Sequence, residues 1–394
     1  MAEPLKNYFG PEIARKIAGL ISAVYPAFPA DAFLRDALRG YEDLELMPRG
    51  WHLARSLRGH LPDDYPEAIQ VLLASLGLGP GAPDETAGSE PATEPETSAE
   101  PETSESGMSA FVYLPYTLFV AEYGLDHFEA SMTAQYELTQ RFTAEFSIRP
   151  FLVQHTEETL ARLRDWVTDP SPHVRRLVSE GTRPRLPWAS RLKAFQADPS
   201  PVLELLELLK DDPELYVRRS VANNLNDIGK DHPDLLVETA RRWLMGADEN
   251  RRWVVSHALR SAVKRGEAGA LDVLGYGDPA EVAIRNATFT PGRVRMGDSV
   301  GISLEVANTG NRRQKVLADL RVHFVKANGR TSPKVFKLKI LDLAPGEATR
   351  LRKTISLAEM TTRKHYPGTH GVEVVLNGRA ELLGSFDLTV KPGS

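Results

Sequence analysis

The sequence predicts two folds in succession, an all-α HEAT-like repeat solenoid and then an all-β immunoglobulin-like sandwich. A motif containing Val-Arg-Arg recurs after about 40 residues in the middle of the chain, which is typical of stacked two-helix repeats. After Pro279, apolar and polar residues alternate, and turn signals such as Asn377-Gly378 separate the alternating segments. The change of period marks the change from helix to strand.

Composition limits the class of protein before any motif is considered. The chain of 394 residues has no cysteine, which excludes disulfides, thiolate zinc sites and cysteine nucleophiles. No apolar run reaches the roughly 18 residues that a membrane-spanning helix needs. The first residues, MAEPLKNYFG, lack the basic-then-apolar order of a signal peptide. We therefore expect a cytoplasmic protein with no membrane partner.

The N-terminal region, residues 1–77, is predicted to consist of helical repeats. Apolar residues fall at helical spacing in Ala30–Leu38, Trp51–Leu61 and Tyr65–Leu76. The next segment, residues 78–107, contains eight acidic residues, no basic residue and many Pro, Ser, Thr and Gly residues. Because it has almost nothing to bury, we predict an acidic disordered linker or a surface insertion there.

Residues 108–280 are predicted to form further HEAT-like repeats. The segment Asp169–Gly181 resembles Asp212–Asn224, and the shared valines Val174 and Val217 lie 43 residues apart. A third copy, NRRWVVSHALR, places Trp253 a further 36 residues on, and a fainter copy, LARSLRGHLPDDYPEA, lies before residue 78. Each of the first two copies opens with Asp-Pro, and we expect the Asp to cap the helix and the Pro to occupy its first turn.

The C-terminal region, residues 281–394, is predicted to be an immunoglobulin-like sandwich of about seven strands. It carries 19 Lys and Arg against 10 Asp and Glu, although the whole chain has a net charge of −5. Segregated positive charge favours a polyanionic partner such as DNA, and a merely solvated basic surface is the alternative. The candidate DNA-binding residues here are basic residues in or beside turns, namely Arg312, Arg313, Arg363, Lys364 and Arg379.

Charged side chains at a spacing of four residues are the first candidates for chemistry in the repeats. Arg176 and Glu180 are four apart and are expected on one exposed helix face. The next repeat carries Arg219 and Asn223 at the same offsets, so stacking would align them into a polar ladder. The alternative is a set of solvated salt bridges of little energetic weight.

A similar pair precedes this one, and a loop follows it. Glu145 and Arg149 are also four apart, in what is predicted to be the preceding repeat helix. The loop GTRPRLPW has no helical period, and its prolines keep the backbone extended. Its Arg183 and Arg185 suit phosphate contacts, and Trp188 suits a base-edge or stacking contact. A plug between repeats is the alternative role for Trp188.

Common catalytic and metal-binding motifs are absent from the sequence. There is no phosphate-binding Walker loop, no dinucleotide fingerprint, no HExxH and no GxSxG. His365 and His370 in HYPGTH match no standard zinc spacing and are expected in a surface turn. We therefore predict neither a metal nor a cofactor.

The segments VRRLVSEGTRPRLPW and YVRRSVANNLNDIGKDHPDLL resemble the AlkC branch of the AlkC/AlkD superfamily of DNA alkylation repair glycosylases. The resemblance covers residues 1–77 and 108–280, and the sandwich resembles a domain that some AlkC-type proteins carry. It implies a monofunctional enzyme that hydrolyses the N-glycosidic bond of cationic alkylated bases, such as 3-methyladenine, in duplex DNA. It also implies that no metal or cofactor takes part and that the base is not flipped into a pocket.

The resemblance assigns roles to particular residues of this chain. Glu145 and Glu180 match the acidic active-site positions, and Arg176 and Trp188 match the supporting ones. Arg149, Arg183, Arg185, Arg219 and Asn223 complete the DNA-binding candidates of the helical region. Glu122 and Glu157, which have the same spacing of 35 residues as the first pair, rank next as acids.

A second reading stays open beside the enzyme. HEAT arrays are often non-catalytic scaffolds that bind DNA or protein, and the fold alone does not decide between the two. The partner expected in the first reading is alkylated double-stranded DNA, bound by a monomer that associates with the nucleoid.

Overall fold

The computed structural model describes residues 5–77, 110–358 and 364–390. The predicted acidic linker, 78–107, and Arg363 lie outside these residues. The chain divides into two compact units, residues 2–231 and 232–394. No helix within the described ranges is long and apolar enough to cross a membrane.

Twelve α-helices are described in the first unit. They are α1 (Pro11–Val24), α2 (Ala30–Ala37), α3 (Leu46–Arg58), α4 (Tyr65–Leu76), α5 (Leu114–Tyr123), α6 (Phe128–Thr139), α7 (Ile148–Gln154), α8 (Thr156–Trp166), α9 (Pro172–Gly181), α10 (Lys193–Ala197), α11 (Ser200–Leu209) and α12 (Leu215–Ile228). Helices α2, α3 and α4 correspond to the three apolar segments that the sequence marks as helical. Their buried residues recur at the three- and four-residue spacing of one helix face.

The helices of this unit stack in two rows. The front row is α3, α5, α7, α9 and α12, in which consecutive helices are neighbours. The back row includes α4, α6, α8 and α11, which pack behind them. Helices α9 and α12 run parallel, since His173 lies beside Tyr216 and, further along both helices, Asn224 donates to the Ser179 carbonyl. This stacking is the arrangement expected of two-helix repeats.

The two arginines of each Val-Arg-Arg motif serve different purposes. Val174 and Val217 are fully buried, as the repeat predicts. The first arginine holds the repeats together: Arg175 donates to the carbonyls of Asp169 and Pro170 and forms two hydrogen bonds to the Asp212 carboxylate, at 2.6 and 3.0 Å. The second arginine of the motif takes no part in these contacts.

The expectation that the Asp of each Asp-Pro caps the helix is wrong. The Asp169 carboxylate accepts the backbone N–H of Ser171, and that of Asp212 accepts the N–H of Glu214, each two residues on. These are local turns that precede the helices, because α9 begins at Pro172 and α12 at Leu215. The Asp-Pro pair thus shapes the connection between helices and lies outside the helix itself.

The second unit joins three helices to a β-sandwich. The helices are α13 (Pro233–Leu244), α14 (Glu249–Arg265) and α15 (Ala268–Val273). The strands are β1 (Val282–Thr290), β2 (Arg293–Arg295), β3 (Ser299–Asn308), β4 (Gln314–Val325), β5 (Thr331–Leu343), β6 (Ala348–Ser356), β7 (Gly368–Leu376) and β8 (Arg379–Thr389). Helix gives way to strand near residue 280, as the sequence predicts, but the boundary in packing lies earlier, at residue 231.

The sandwich consists of a three-stranded sheet, β1-β3-β6, and a five-stranded sheet, β2-β8-β7-β4-β5. All neighbours are antiparallel except β2 and β8. Alternate residues of the two sheets meet in apolar clusters, one of them around Val300, Leu320 and Phe386. Leu317 of β4 packs on Leu271 and Tyr276, so the sandwich shares apolar contacts with α15 and the segment after it.

The interpretation of His365 and His370 as surface residues is wrong. His370 is fully buried, stacks on Phe386 with ring centroids 5.1 Å apart, and lies beside Phe324. His365 is also buried and packs against Phe324. Both imidazoles belong to the interior of the sandwich, His370 from within β7 and His365 from the segment before it.

Candidate active site

The acidic and basic candidates of the repeats converge at one point of the front row. Glu145 lies in the turn before α7, whereas Arg176 and Glu180 lie one turn apart on α9. The guanidinium of Arg176 contacts both carboxylates, with Nη1 2.8 Å from Glu145 Oε2 and Nη2 3.8 Å from Glu180 Oε1. The structure thus brings together three residues that the sequence predicted as one site.

Glu145 is the more accessible of the two carboxylates. Its contacts all go to Oε2, which accepts from Arg176 and from the Thr143 hydroxyl at 2.9 Å. Among the described residues, Oε1 has no hydrogen-bond partner. A carboxylate fixed on one side and open on the other can present negative charge to a ligand without rearranging. The prediction that Glu145 shares a helix face with Arg149 is wrong, because α7 begins only at Ile148.

Glu180 is buried, which contradicts its expected place on an exposed face. Its side chain is only 7% exposed. Oε1 accepts from Arg183 Nη1 at 2.5 Å, and Oε2 accepts from the Ser220 hydroxyl of α12 at 2.6 Å. Helical spacing placed Glu180 correctly relative to Arg176, but it could not show that the next repeat covers this side of α9.

The surroundings of Glu180 keep its carboxyl ionised. Burial by itself would raise the pKa, but the charges of Arg176 and Arg183 outweigh burial and lower it below its ordinary value. The Ser220 hydroxyl acts in the same direction by donating to the charged form. Glu180 is therefore a stable anion and a poor proton donor near neutral pH.

The ion pairs continue inward from Glu180. Arg183 donates from Nε to Asp227 Oδ2 at 2.8 Å, and Lys230 contacts the other oxygen of Asp227 at 2.7 Å. We call Glu145, Arg176, Glu180, Arg183 and Asp227 the carboxylate network. Its charges alternate in sign from the accessible edge to the interior, which is the arrangement that makes burial of ions tolerable.

Tyr216 is a part of this site that the sequence reasoning missed. The Arg176 guanidinium lies 5.1 Å from the centre of its ring, a cation–π distance, and the ring is 37% exposed. The His173 ring also packs edge-on against the Tyr216 ring, with the ring centroids 5.6 Å apart. Both aromatic residues precede the shared valine of their repeat, so comparison of the two copies at that offset could have revealed them.

The role predicted for Arg149 in DNA binding does not agree with its environment. Arg149 is 2% exposed, and burial, followed by the charge of Arg183, lowers its pKa to about 10. Its guanidinium donates to the backbone carbonyls of Gly181, Arg183 and Ser190. Arg149 therefore anchors the segment after α9 and has no face turned to a phosphate.

The predicted phosphate contact of Arg183 meets the same objection. Its donors point at Glu180 and Asp227, and the residue is buried. Arg185 is half-buried and forms a two-point ion pair with Asp231, through Nε at 2.8 Å and Nη2 at 2.5 Å. These arginines fix the backbone of the loop 182–192, which we call the Trp188 loop.

Trp188 stands at the exposed part of this anchored loop. Its side chain is among the most exposed large apolar groups described, at 60%, which rules out the alternative role as a plug between repeats. Its backbone has a φ of +62°, in the left-handed region that a bulky residue adopts only under constraint. Neighbouring Leu186 and Leu192 are buried and hold the loop from below. The chain therefore maintains local strain while presenting an indole to solvent.

The remaining helical candidates have simpler settings. Arg219 and Asn223 are half-buried on α12, at the offsets of Arg176 and Glu180 on α9. Glu122 pairs with Arg55 on α3, and Glu157 is exposed in the first turn of α8. Neither of these two acids belongs to the carboxylate network.

The basic candidates of the sandwich are at its surface. Arg312 lies 3.5 Å from Asp278, and Arg313 lies 3.2 Å from Asp342, with both arginine side chains largely exposed. Lys364 and Arg379 are exposed as well. Within the described residues, no cluster of three or more His, Asp or Glu side chains is arranged to hold a metal ion.

The carboxylate network makes a prediction about stability. Arg183→Gln removes a buried cation and leaves Glu180 and Asp227 under-compensated, so we expect unfolding free energy to fall by about 3 kcal/mol at pH 7. Glu180 has a depressed pKa, so its contribution to stability is full above the ordinary carboxyl range and is lost as pH falls through the depressed pKa. The deficit of the variant should therefore shrink as pH is lowered toward about 3.

Urea unfolding of both proteins between pH 7 and pH 3 measures this deficit. Arg164→Ala is the control, because Arg164 forms an exposed pair with Glu204 on the back row. A deficit that is independent of pH would mean that Arg183 acts through packing alone.

Comparisons with known proteins agree with the order of the folds. Residues 140–262 match the family model described as DNA alkylation repair enzyme. Residues 283–390 match the model described as Uncharacterised protein YhaZ, C-terminal Ig-like domain. The expected helical repeats followed by an immunoglobulin-like sandwich are thereby confirmed.

Two relatives extend over almost the whole chain. Uncharacterized protein YhaZ of Bacillus subtilis (strain 168) is 36% identical over 388 residues, which cover 98% of this chain and 99% of that protein. A solved structure, Pseudomonas fluorescens alkylpurine DNA glycosylase AlkC bound to DNA containing an abasic site analog, is 39% identical. It superposes with a TM-score of 0.86 over 98% of this chain and 100% of the other. The chain belongs to the AlkC family of DNA alkylation repair enzymes.

Proposed function

We propose that this chain is a monofunctional DNA glycosylase that hydrolyses the N-glycosidic bond of cationic alkylated bases, of the 3-methyladenine type, in duplex DNA. The observation that carries the proposal is the pair of carboxylates, Glu145 and Glu180, bridged by Arg176 on the front row. Similarity over nearly the full length to an alkylpurine DNA glycosylase supports it. A scaffold that only binds DNA has no need for an accessible carboxylate backed by buried ion pairs.

The chemistry fits the properties of the site. An alkylated purine with a positive charge is already a good leaving group, and its departure leaves positive charge on the deoxyribose, as in glycoside hydrolysis. Glu145 supplies a fixed negative charge and an open oxygen that can hold a water near the sugar. The groups that contact Glu145 are a hydroxyl and a guanidinium, which form no Schiff base, so hydrolysis is the reaction expected.

The charge state of Glu180 limits the substrates. Because its pKa is lowered, Glu180 is a carboxylate and not a general acid. A neutral base leaves readily only when it is protonated, whereas a cationic base needs no proton. The proposal is therefore restricted to lesions that carry their own charge.

Recognition without base flipping is part of the proposal. Tyr216 of the front row and Trp188 of its loop are 37% and 60% exposed, so both rings can be reached from solvent beside Glu145. An exposed, strained indole can contact the edge or face of a base, or the sugar beside it, without enclosing the base. Arg149, Arg183 and Arg185 organise this surface from behind and are not proposed to touch phosphates.

We propose phosphate contacts for the candidates that remain at the surface. Arg219 and Asn223 serve the helical unit, and Arg312, Arg313 and Lys364 serve the sandwich. The surplus of basic residues in the sandwich, 19 against 10, supports a role in holding the polyanion.

The two carboxylates should both be required for base release. Glu145→Gln and Glu180→Gln are each expected to lower single-turnover excision by on the order of 10²-fold, because each removes a negative charge that the transition state requires. Only Glu180→Gln should also lower thermal stability, since only Glu180 is deeply buried. Mass spectrometry of bases released from methylated duplex DNA measures the effect.

Two comparisons make this assay decisive. Glu157→Gln is the matched control, and DNA containing uracil or hypoxanthine is the substrate control. Full excision by both carboxylate variants, or rapid release of the neutral bases by the unaltered protein, would sink the proposed mechanism. Release of no base at all would leave the scaffold reading.

Substitution of Trp188 should change the melting temperature and the rate of excision in different directions. Trp188→Gly should keep or raise the melting temperature, because glycine adopts a φ of +62° freely and the exposed ring buries little. Excision should fall about tenfold or more, since a stacking or edge contact is worth roughly 1–3 kcal/mol. Trp188→Phe retains an aromatic face and should lose less. A lower melting temperature with normal excision would assign the indole to packing instead.

Salt dependence should identify the phosphate contacts. Arg219→Ala should lower the slope of log affinity against log salt concentration by roughly one, and the double variant Arg312→Ala/Arg313→Ala by up to roughly two. Fluorescence anisotropy with an undamaged duplex measures these slopes. Arg241→Ala removes an exposed arginine that pairs with Asp272, and it serves as the control. Slopes equal to that control would place the DNA on another surface.

A further inference from the structure

A cavity of about 640 Å³ opens between α3 and α5, apart from the carboxylate network. Trp51, His52 and Arg55 of α3 line it, together with Ala121 and Glu122 of α5. Both helices belong to the front row. Two helix steps, α5 to α7 and α7 to α9, connect the cavity to Glu180. At about 8–10 Å between neighbouring axes, these two steps and the half-step from the cavity to α5 make a separation of roughly 20–25 Å.

Arg55 is held in a fixed position at this cavity. Its Nε donates to Glu122 Oε1 at 3.0 Å, and its guanidinium carbon lies 5.9 Å from the centre of the Trp51 ring. Among the described residues, its two Nη groups have no hydrogen-bond partner, and the side chain is 62% exposed. An arginine fixed through Nε, with its Nη fork turned outward, is organised for two-point contact with an oxyanion.

The ion pair that orients Arg55 leaves one carboxylate oxygen of Glu122 unsatisfied, which an ordinary exposed ion pair would not do. Glu122 Oε2 is shielded from solvent and has no hydrogen-bond partner within the described residues. A shielded carboxylate oxygen without a donor is destabilising, and exposed ion pairs seldom contribute enough to offset this. Because Oε2 is shielded, the carboxylate meets the cavity only through Oε1, whose charge is engaged by Arg55 Nε.

His52 also lies at this cavity, and its ring N–H is already used within the protein. Its Nε2 lies 3.2 Å from the carbonyl oxygen of Asp36, which fixes the proton on Nε2 and the orientation of the ring. The anion-binding group of the walls is therefore the Arg55 guanidinium, with the Trp51 indole beside it. A guanidinium next to an indole favours a phosphodiester with its adjoining sugar over a buried apolar ligand.

We propose that Arg55, supported by Glu122 and Trp51, binds a backbone phosphate of the DNA duplex outside the lesion. The proposal rests on the proposed function for the direction of the duplex along the front row. Successive phosphates of one strand advance about 3.4 Å along the duplex axis, so the contact falls roughly six to seven nucleotides from the lesion. This phosphate site would fix the register of the duplex at a distance from the reacting sugar.

Variants of Arg55 and Glu122 test the site with an undamaged duplex. Arg55→Ala should weaken binding about tenfold and lower the salt slope by roughly one, because one charge-assisted contact is lost. Glu122→Gln keeps the cation but loosens it, so affinity should fall by a smaller factor while the slope stays unchanged. Arg164→Ala is the matched control, since Arg164 is 53% exposed in an ion pair with Glu204 on the back row.

A scan with methylphosphonates locates the contact. In a duplex with an abasic-site analog at one fixed position, a neutral methylphosphonate placed singly at each position should weaken binding of the unaltered protein at one or two positions, roughly six to seven nucleotides from the analog. The same substitutions should have no effect on Arg55→Ala. An unchanged affinity and slope for Arg55→Ala, or the absence of any position whose effect disappears in that variant, would overturn the proposal.

Binding and base release separate the two proposals. If the unaltered protein releases alkylated bases but Arg55→Ala binds normally, this phosphate site is wrong and the proposed function stands. If the Arg55 effects appear but no base is released, the phosphate site stands and the proposed function fails.

Discussion

The ion pair of Arg176 with two carboxylates is the interaction on which the rest of the site depends. Arg176 joins the turn before α7 to the middle of α9, and Tyr216 of α12 supports its guanidinium. Burial would lower the pKa of Arg176, but Glu145 and the other anionic neighbours raise it, so the cation is secure. Loss of this one charge would leave two carboxylates facing each other at the edge of a buried network. Three successive repeats must therefore be in register before the site exists.

Repetition explains how such a site arises from ordinary helices. The first arginine of each motif is used for the fold, because Arg175 and Arg218 both donate to the carbonyls of their own Asp-Pro turns. The second arginine of the first copy, Arg176, instead bridges the two carboxylates of the site. At the following offset one repeat has Glu180 and the other has Asn223. The same scaffold thus carries an anion at one position and a neutral amide at the next.

The sequence predicted what depends on local period and missed what depends on packing across repeats. Val174 and Val217 are buried as expected, and alternation predicted about seven strands where the structure has eight in its described residues. Alternation is weakest in β1, which contains a register shift between Arg285 and Thr288, and in β2, which has only three residues. Glu180 was expected in solvent because helical spacing describes only its own helix. Its partner Ser220 lies 40 residues further on.

The Trp188 loop is a second case in which contacts between residues distant in sequence could not be predicted. The lack of a helical period marked the loop, but no local pattern can show that Arg149, more than 30 residues earlier, holds its backbone through three carbonyls. A guanidinium that satisfies several buried carbonyls fixes the chain more firmly than a surface ion pair does. This anchoring lets a tryptophan keep a strained backbone, at a cost of about 1–3 kcal/mol.

A rigid loop and a pre-set ion network lead to the same mechanistic consequence. When charges and the indole are fixed before DNA arrives, little reorganisation remains for the reaction step, and electrostatic stabilisation is strongest in that situation. In the function proposed above, such a site acts on a bond that the positive charge of the base has already weakened. The ionised state of Glu180, imposed by Arg176 and Arg183, agrees with that proposal, because a carboxylate has no proton to give to a leaving base.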